Sequence, residues 1–211
     1  MIPTSLQLSL DAARSEVLRH PKHELAFPTR KRLLLQLGPV LVDSRGKHTL
    51  IYPGLRRRAR LCIASVQKVL HWWEAAFPSS RVPRTLLELS EGYLAGRYDR
   101  ESPREKAYSF DGALDNRDAI AQQRAWLVGK ASVCAAWTAT SDELLEVEKG
   151  ITPDDVFDPQ DPDLWDCAFW ASAAWAGGMP WVKEFDRERY RDFWLWYLDT
   201  EVPAAWESVA E

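Results

Sequence analysis

The chain has 211 residues, of which 46% are hydrophobic and 27% charged, a balance typical of a globular protein. Its 27 Lys and Arg against 31 Asp and Glu give a formal net charge of -4, so no overall positive field attracts nucleic acid or an anionic membrane. The N-terminus lacks the pattern of a secretory signal, and no apolar run approaches the roughly 20 residues that cross a bilayer. We therefore expect a cytoplasmic protein with no membrane partner.

The first fifty residues do not favour one kind of secondary structure. Residues 4–21 and 29–42 could each carry a helix, whereas residues 37–42 (LGPVLV) and 47–53 (KHTLIYP) also resemble short extended pieces broken by Gly38, Pro39 and Gly46. We treat residues 1–50 as an N-terminal segment of uncertain structure packed on the same domain. Residues 51–211 are predicted to form a helical domain.

Three segments in the first half of this domain have helical signals. Residues 54–78 carry apolar residues at three- and four-residue spacing, with Pro53 placed to start a helix and Pro78 to stop it. A shorter helix is predicted to open at Pro83 and to end near Gly96. A third is predicted from the capping-box pattern SPRE at residues 102–105 and is expected to break near Gly112.

Two later segments are rich in alanine and tryptophan. The first is predicted to begin at about Arg117 with Asn116 as its cap, and its small residues leave room for close packing on several sides. The second is predicted to begin with Asp161 as cap and Pro162 at the first position, and to end at Gly177. The predicted fold class is all-α, a single-domain helical bundle with tryptophan- and alanine-rich central helices.

The stretch at residues 190–207, YRDFWLWYLDTEVPAAWE, concentrates large aromatic side chains. At about 100° per residue one face of this helix is apolar, while Trp196 falls beside the polar side. We predict that this face is core, and that it consists of Tyr190, Phe193, Trp194, Tyr197 and Leu198.

Sequence patterns for catalysis or metal binding are weak. His20 and His23 form HxxH, but Pro21 lies between them and no HExxH pattern accompanies them, so we expect exposed loop histidines. No GxSxG, GxxxxGK or GxGxxG motif occurs. Cys62, Cys134 and Cys167 lie in apolar segments and are expected to be reduced core residues. We predict no metal, no cofactor and no catalytic site.

Two basic clusters could contact phosphate. Arg56, Arg57, Arg58 and Arg60 form one, and Arg30 to Arg32 the other, without interleaved aromatic residues. We expect these arginines to pair with carboxylates of the protein itself, which disfavours nucleic acid as a partner.

Residues 141–166 form a strongly acidic segment. It lacks the turn glycine and terminal glutamate of a calcium loop, and a helix cap accounts for only part of its charge. Such a segment is suited to steering a basic protein partner, although a solvated loop is the alternative. The predicted partner-binding residues are Asp154, Asp155, Asp158, Asp161, Asp163 and Trp165.

Several motifs together resemble a known family. VLHWWEAAFP, LLELSEGYLAGR and above all the pattern FWxWYLxxxVPxA preceded by Arg191 make residues 50–207 similar to the fifth predicted immunity-protein family of bacterial polymorphic toxin systems. The first fifty residues fall outside this resemblance. The family-like positions are Arg58, Trp73, Glu74, Arg191, Trp194 and Trp196.

The resemblance implies a mainly α-helical, cytoplasmic protein that neutralises a toxin encoded beside it. We therefore expect a stoichiometric inhibitor rather than an enzyme, with a cognate protein toxin as partner and the oligomeric state left open. One alternative is a helical enzyme with a site between helices built from Arg191, Glu74 and buried carboxylates. Another is a nucleic-acid-binding regulator that uses Arg56 to Arg60.

Overall fold

A computed structural model describes residues 1–44, 50–115, 122–141 and 164–209, and every regular element within these ranges is helical. The predicted all-α, single-domain fold class is confirmed. A π-helical segment, Tyr197–Glu201, joins the last two helices. The α-helices are α1 Thr4–Arg19, α2 Phe27–Gln36, α3 Pro53–Ala76, α4 Val82–Leu94, α5 Glu101–Asp115, α6 Gln123–Thr140, α7 Cys167–Ala176, α8 Arg187–Trp196 and α9 Val202–Glu207.

Helix α6 lies at the centre of the bundle and packs against α3, α4, α5 and α7. Small residues permit this, as predicted: a Cβ atom on Gly129 would lie 2.7 Å from a methyl carbon of Leu114. The predicted start at Asn116 and Arg117 lies outside the described residues. The described helix begins later than predicted, at Gln123.

Helix α7 packs on α6, α3 and α8 and begins later than the sequence suggested. Asp161 and Pro162 lie outside the described residues, and the cap is Asp166, whose carboxylate accepts a hydrogen bond from the backbone N–H of Phe169 at 2.8 Å. The predicted cap at Asp161 is therefore wrong, because Asp166 already satisfies a first-turn amide. The predicted stop at Gly177 is confirmed, with φ of +95°.

The prolines correctly predicted where α3 and α4 begin, whereas the capping-box pattern predicted the wrong cap for α5. Helix α3 begins at Pro53 and α4 has Pro83 in its first turn. Helix α5 begins at Glu101, and Asp99 accepts hydrogen bonds from both the backbone N–H and the hydroxyl of Ser102. Ser102 is thus not the cap. The expected break at Gly112 is also wrong, because α5 continues to Asp115.

The N-terminal helices join the same core. Helix α1 buries an apolar face, Leu6, Leu10, Ala13 and Val17, and packs against α2, α8 and the π-helical segment. Helix α2 is followed by non-helical residues that approach the start of α3 closely. A Cβ atom on Gly38, whose φ is +141°, would lie 2.9 Å from the Cα of Gly54.

The aromatic block at residues 190–207 belongs mainly to the core, as predicted. The five side chains of its predicted inner face are each at most 1% exposed: Tyr190, Phe193, Trp194, Tyr197 and Leu198. Trp196 is only partly buried. Most of this block therefore stabilises the bundle, and two of its tryptophans, Trp196 and Trp206, are partly exposed.

Candidate functional site

A buried ion pair ties the N-terminal helices to the start of α7. Arg30, only 1% exposed, donates from Nε to Oδ2 of Asp166 at 2.8 Å and from its terminal nitrogens to the carbonyl oxygens of Leu25 and Leu164. Its guanidinium also lies 5.4 Å from the ring centre of Phe169. Burial alone would lower the pKa of Arg30, but the charge and hydrogen bond of Asp166 outweigh it and raise the pKa.

A cavity of about 380 Å³ lies beside this ion pair. Its walls come from α2, α3, α6 and α7, and its volume falls within the range of roughly 300–1,000 Å³ that ligand pockets occupy. Aromatic side chains at its edge include Trp137, Trp165 and Trp170. Lys130 also lines it and is held by two carboxylates, Asp111 at 2.7 Å and Asp115 at 2.8 Å.

The cysteine thiols in the cavity wall have structural rather than reactive roles. Cys62, Cys134 and Cys167 are free cysteines, as expected, and all three line the cavity. Burial raises the pKa of both Cys134 and Cys167, which keeps the thiols protonated at neutral pH. The Sγ of Cys167 donates to the carbonyl oxygens of Ala131 and Cys62 at 3.3 and 3.4 Å. These are packing roles.

Trp165 lies at the edge of the cavity within an aromatic cluster. Its ring is 5.0 Å from that of Trp170, nearly perpendicular to it, and 5.6 Å from that of Trp181. Trp181 is 39% exposed, so the cluster reaches solvent. The other residues predicted to bind a partner lie outside the described residues: Asp154, Asp155, Asp158, Asp161 and Asp163.

The family-like positions do not form one site. Trp73 and Trp194 are fully buried in the core. Glu74 pairs with Arg84 on the surface, and Arg191 pairs with Glu188 at 2.6 Å. Neither Glu74 nor Arg191 is among the described cavity-lining residues, so the arrangement imagined for an enzyme alternative does not occur there.

The arginine run of α3 is divided between core and surface. Arg57 and Arg58 are 4% and 0% exposed, whereas Arg56 and Arg60 are exposed. Arg57 donates to the carbonyl oxygens of Leu37 and Val209 and lies 3.8 Å from the ring centre of Trp206. The expectation of carboxylate partners is wrong for Arg57 within the described residues. Half of the run is thus inaccessible to a phosphate backbone.

Arg58 holds the connection between α2 and α3. It donates to the carbonyl oxygens of Leu34 and Gly38 and to the hydroxyl of Tyr52. A buried guanidinium with several carbonyl acceptors has a structural role in fixing this turn.

A surface built from tryptophans and cations was not predicted from the sequence. We call it the tryptophan strip and define it as Lys68, Trp72, Arg124, Trp175 and Trp196. All five side chains are partly exposed. The ammonium of Lys68 lies 4.0 Å from the ring centre of Trp196 and 4.6 Å from that of Trp175. Trp72 contacts Trp175 edge-on at 5.3 Å, and the guanidinium of Arg124 lies 5.2 Å from Trp72.

A sequence signal for this strip exists in the spacing of the tryptophans. Adjacent Trp72 and Trp73 point about 100° apart on a helix, and Trp194 and Trp196 about 200° apart. The two members of each pair therefore face different surroundings, and the structure buries Trp73 and Trp194 while Trp72 and Trp196 stay partly exposed. The sequence could not show that the partly exposed members converge.

His20 and His23 both contact backbone groups through Nδ1. Nδ1 of His23 is 2.9 Å from the carbonyl oxygen of Val17, and Nδ1 of His20 accepts from two backbone amides. Across the described ranges, no group of three or more His, Cys, Asp and Glu side chains is arranged to hold a metal ion. No helix in the described part of the chain has both the length and the apolar character needed to span a bilayer.

The comparisons with known proteins agree with the family-like motifs. The family model described as Immunity protein Imm5 matches residues 10–204. The chain belongs to this immunity-protein family. The match extends well into the first fifty residues, which the sequence analysis had placed outside the resemblance, and that boundary was wrong. No curated protein sequence matches the chain.

Proposed function

We propose that the chain neutralises a cognate protein toxin, encoded nearby, by binding it one-to-one in the cytoplasm. The observation that carries this proposal is membership of the Imm5 immunity-protein family across residues 10–204. The protein inhibits the toxin by binding to it, without catalysis and without a cofactor. The protonated thiols of the cavity and its neutralised lysine accord with this role.

We propose the acidic segment and Trp165 as the toxin-contacting surface. The support from sequence is the concentration of carboxylates at Asp154, Asp155 and Asp158, since an acidic segment is suited to steering a basic partner. The support from structure is that Trp165 belongs to an aromatic cluster that reaches solvent through Trp181. Aromatic anchors beside charged residues are typical of protein interfaces.

The experiment compares two triple charge reversals. In the first, Asp154, Asp155 and Asp158 are replaced by lysine. In the matched control, exposed Glu91, Glu105 and Glu207 are replaced by lysine, which changes the net charge equally at other places. Both proteins are checked for unchanged thermal stability, and binding to the product of the adjacent toxin gene is then measured by surface plasmon resonance.

The expected result is slower association for the first variant than for the control, with dissociation changed less, because complementary charge mainly accelerates encounter. Added salt should slow association of the wild-type chain in the same way. Equal association rates for both variants would remove the acidic segment from the interface. Failure of the wild-type chain to bind any toxin encoded nearby would remove the immunity function itself.

A further inference from the structure

The tryptophan strip brings three partly exposed tryptophan rings together at the surface. It draws on four helices: Lys68 and Trp72 from α3, Arg124 from α6, Trp175 from α7 and Trp196 from α8. Trp73 and Trp194, the sequence neighbours of two of these tryptophans, are fully buried. Trp72, Trp175 and Trp196 pack against this core on one side and are partly exposed on the other.

The cations of the strip lie over its aromatic rings. A cation over an aromatic ring is attracted by the ring quadrupole but is not neutralised by it. Burial lowers the pKa of Lys68, while the nearby carboxylate of Glu201 opposes that shift. The imidazole of His71 lies 4.1 Å from Trp72 and is exposed. Lys68 and Arg124 thus give the strip a positive character in a chain whose net charge is -4.

Three of the five strip residues are tryptophans and one is an arginine. Tryptophan and arginine are the residue types that most often dominate binding energy in protein interfaces, where surrounding contacts exclude water. Indole rings that hold cations in place reduce the side-chain entropy that a partner would otherwise have to remove.

We infer that the tryptophan strip is a second docking surface, and that it receives a carboxylate-bearing loop of the toxin. This inference rests on the proposed function for the identity of the partner. Carboxylates of the loop meet Lys68 and Arg124, and its apolar side chains cover Trp72, Trp175 and Trp196. With an acidic segment contacting one part of the toxin and a cationic strip contacting another, charge complementarity fixes the orientation of the complex as well as its stability.

The test uses single charge reversals with matched controls. Lys68→Glu is compared with Lys106→Glu, and Arg124→Glu with Arg97→Glu, since Lys106 and Arg97 are exposed on other surfaces. Equilibrium binding of the adjacent toxin is measured by calorimetry after thermal unfolding has shown that each variant folds. If either strip variant fails to fold, Lys68→Met and Arg124→Met take their place, because methionine keeps most of the apolar stem.

We expect both strip variants to raise the Kd about tenfold or more, as for central interface residues, and both controls to stay within about twofold. In parallel, a carbodiimide that couples amines to touching carboxylates should link Lys68 to an Asp or Glu of the toxin in the wild-type complex. The proposal requires both results. Strip variants that bind like their controls, or cross-links to toxin carboxylates found only at other lysines, would overturn it.

The outcome separates this surface from the function on which it rests. If the wild-type protein binds tightly and the strip variants bind equally well, the strip is not a docking surface and the immunity function still stands. A wild-type chain that binds no adjacent toxin removes both.

Discussion

At the scale of single residues, neighbouring tryptophans of this chain differ in how deeply they are buried. Trp194 is fully buried and its ring packs edge-on against Tyr190 and Phe193 at 5.7 and 5.4 Å. Trp196 instead covers the ammonium of Lys68 at the surface. The two positions therefore separate the packing role of the aromatic block from its exposed part.

Replacement of Trp194 and Trp196 by alanine should have unequal costs. Trp194→Ala is expected to lower the free energy of unfolding by about 3–5 kcal/mol, because it leaves a large cavity in the core. Trp196→Ala is expected to cost less than about 2 kcal/mol, since it removes a partly exposed ring and one cation–π contact. Urea denaturation followed by circular dichroism measures both. Equal losses would contradict the assignment of the helical face.

Buried tyrosines predict a stability loss at high pH. Burial raises the pKa of Tyr190 and of Tyr197. Below about pH 10 these phenols are protonated in the folded and unfolded states alike; above it they ionise in the unfolded chain first. The folded state therefore loses up to about 1.4 kcal/mol per pH unit for each tyrosine as the pH rises above 10.

Tyr190→Phe tests this linkage. The hydroxyl of Tyr190 is buried beside Ser172 and Trp194, and its removal should change stability at pH 7 by about 1 kcal/mol or less. The variant should lose stability less steeply than the wild type above pH 10 in urea titrations at successive pH values. Tyr108→Phe, at a side chain that is 76% exposed, is the control. A slope that is the same in Tyr190→Phe as in the wild type would refute the linkage.

Two glycines show how context decides the effect of one substitution at the scale of helices. Gly112 lies within α5, and a Cβ atom there would meet nothing within 4 Å. Gly177 ends α7 at φ of +95°, where a Cβ atom would lie 2.7 Å from Arg124 and 3.1 Å from the carbonyl oxygen of Glu184.

Alanine at these positions should therefore have opposite effects on stability. Gly112→Ala is expected to raise the free energy of unfolding by about 0.5–1 kcal/mol through helix propensity. Gly177→Ala is expected to lower it by about 1–3 kcal/mol through backbone strain. Thermal and urea unfolding of the two variants side by side provides the measurement. A shift of the same sign in both would contradict this account of the α7 terminus.

The helix ends also show what the sequence can and cannot predict. Pro53 and Gly177 were placed correctly, because their effect is local to the backbone. Asp161 was the predicted cap and Asp166 is the observed one, and Asp166 also bonds to Arg30, a long-range contact that no local pattern reveals. The carbonyl partners of Arg57 lie 20 and 152 positions away, and the members of the tryptophan strip likewise come from separate helices. Local sequence patterns thus predicted the helices, whereas the candidate surfaces could be identified only from the tertiary structure.

The N-terminal helices are held to the rest of the molecule by buried contacts. The division into residues 1–50 and 51–211 stays a prediction, and a shortened chain can test it. Arg30 bonds to Asp166, and Arg58 bonds to the carbonyl oxygens of Leu34 and Gly38, so deletion of residues 1–50 leaves buried polar groups without partners.

We expect the chain 51–211 to lose cooperative unfolding, because the apolar faces that α1 covers on α8 and the π-helical segment would be exposed. Near-ultraviolet circular dichroism and calorimetry measure this directly. A cooperative transition at the wild-type midpoint would show that residues 51–211 form an independent unit.

The Arg30–Asp166 contact also has a consequence for the order in which the protein is made. These residues are 136 positions apart, so at the usual 5–20 residues per second the ribosome needs on the order of ten seconds after adding Arg30 to reach its partner. During that interval α1 and α2 have been synthesised, but α7, α8 and the π-helical segment have not. Until then, the apolar face of α1 and the guanidinium of Arg30 are exposed to water or covered by a chaperone. Helices α1 and α2 thus leave the ribosome well before the residues that complete their environment.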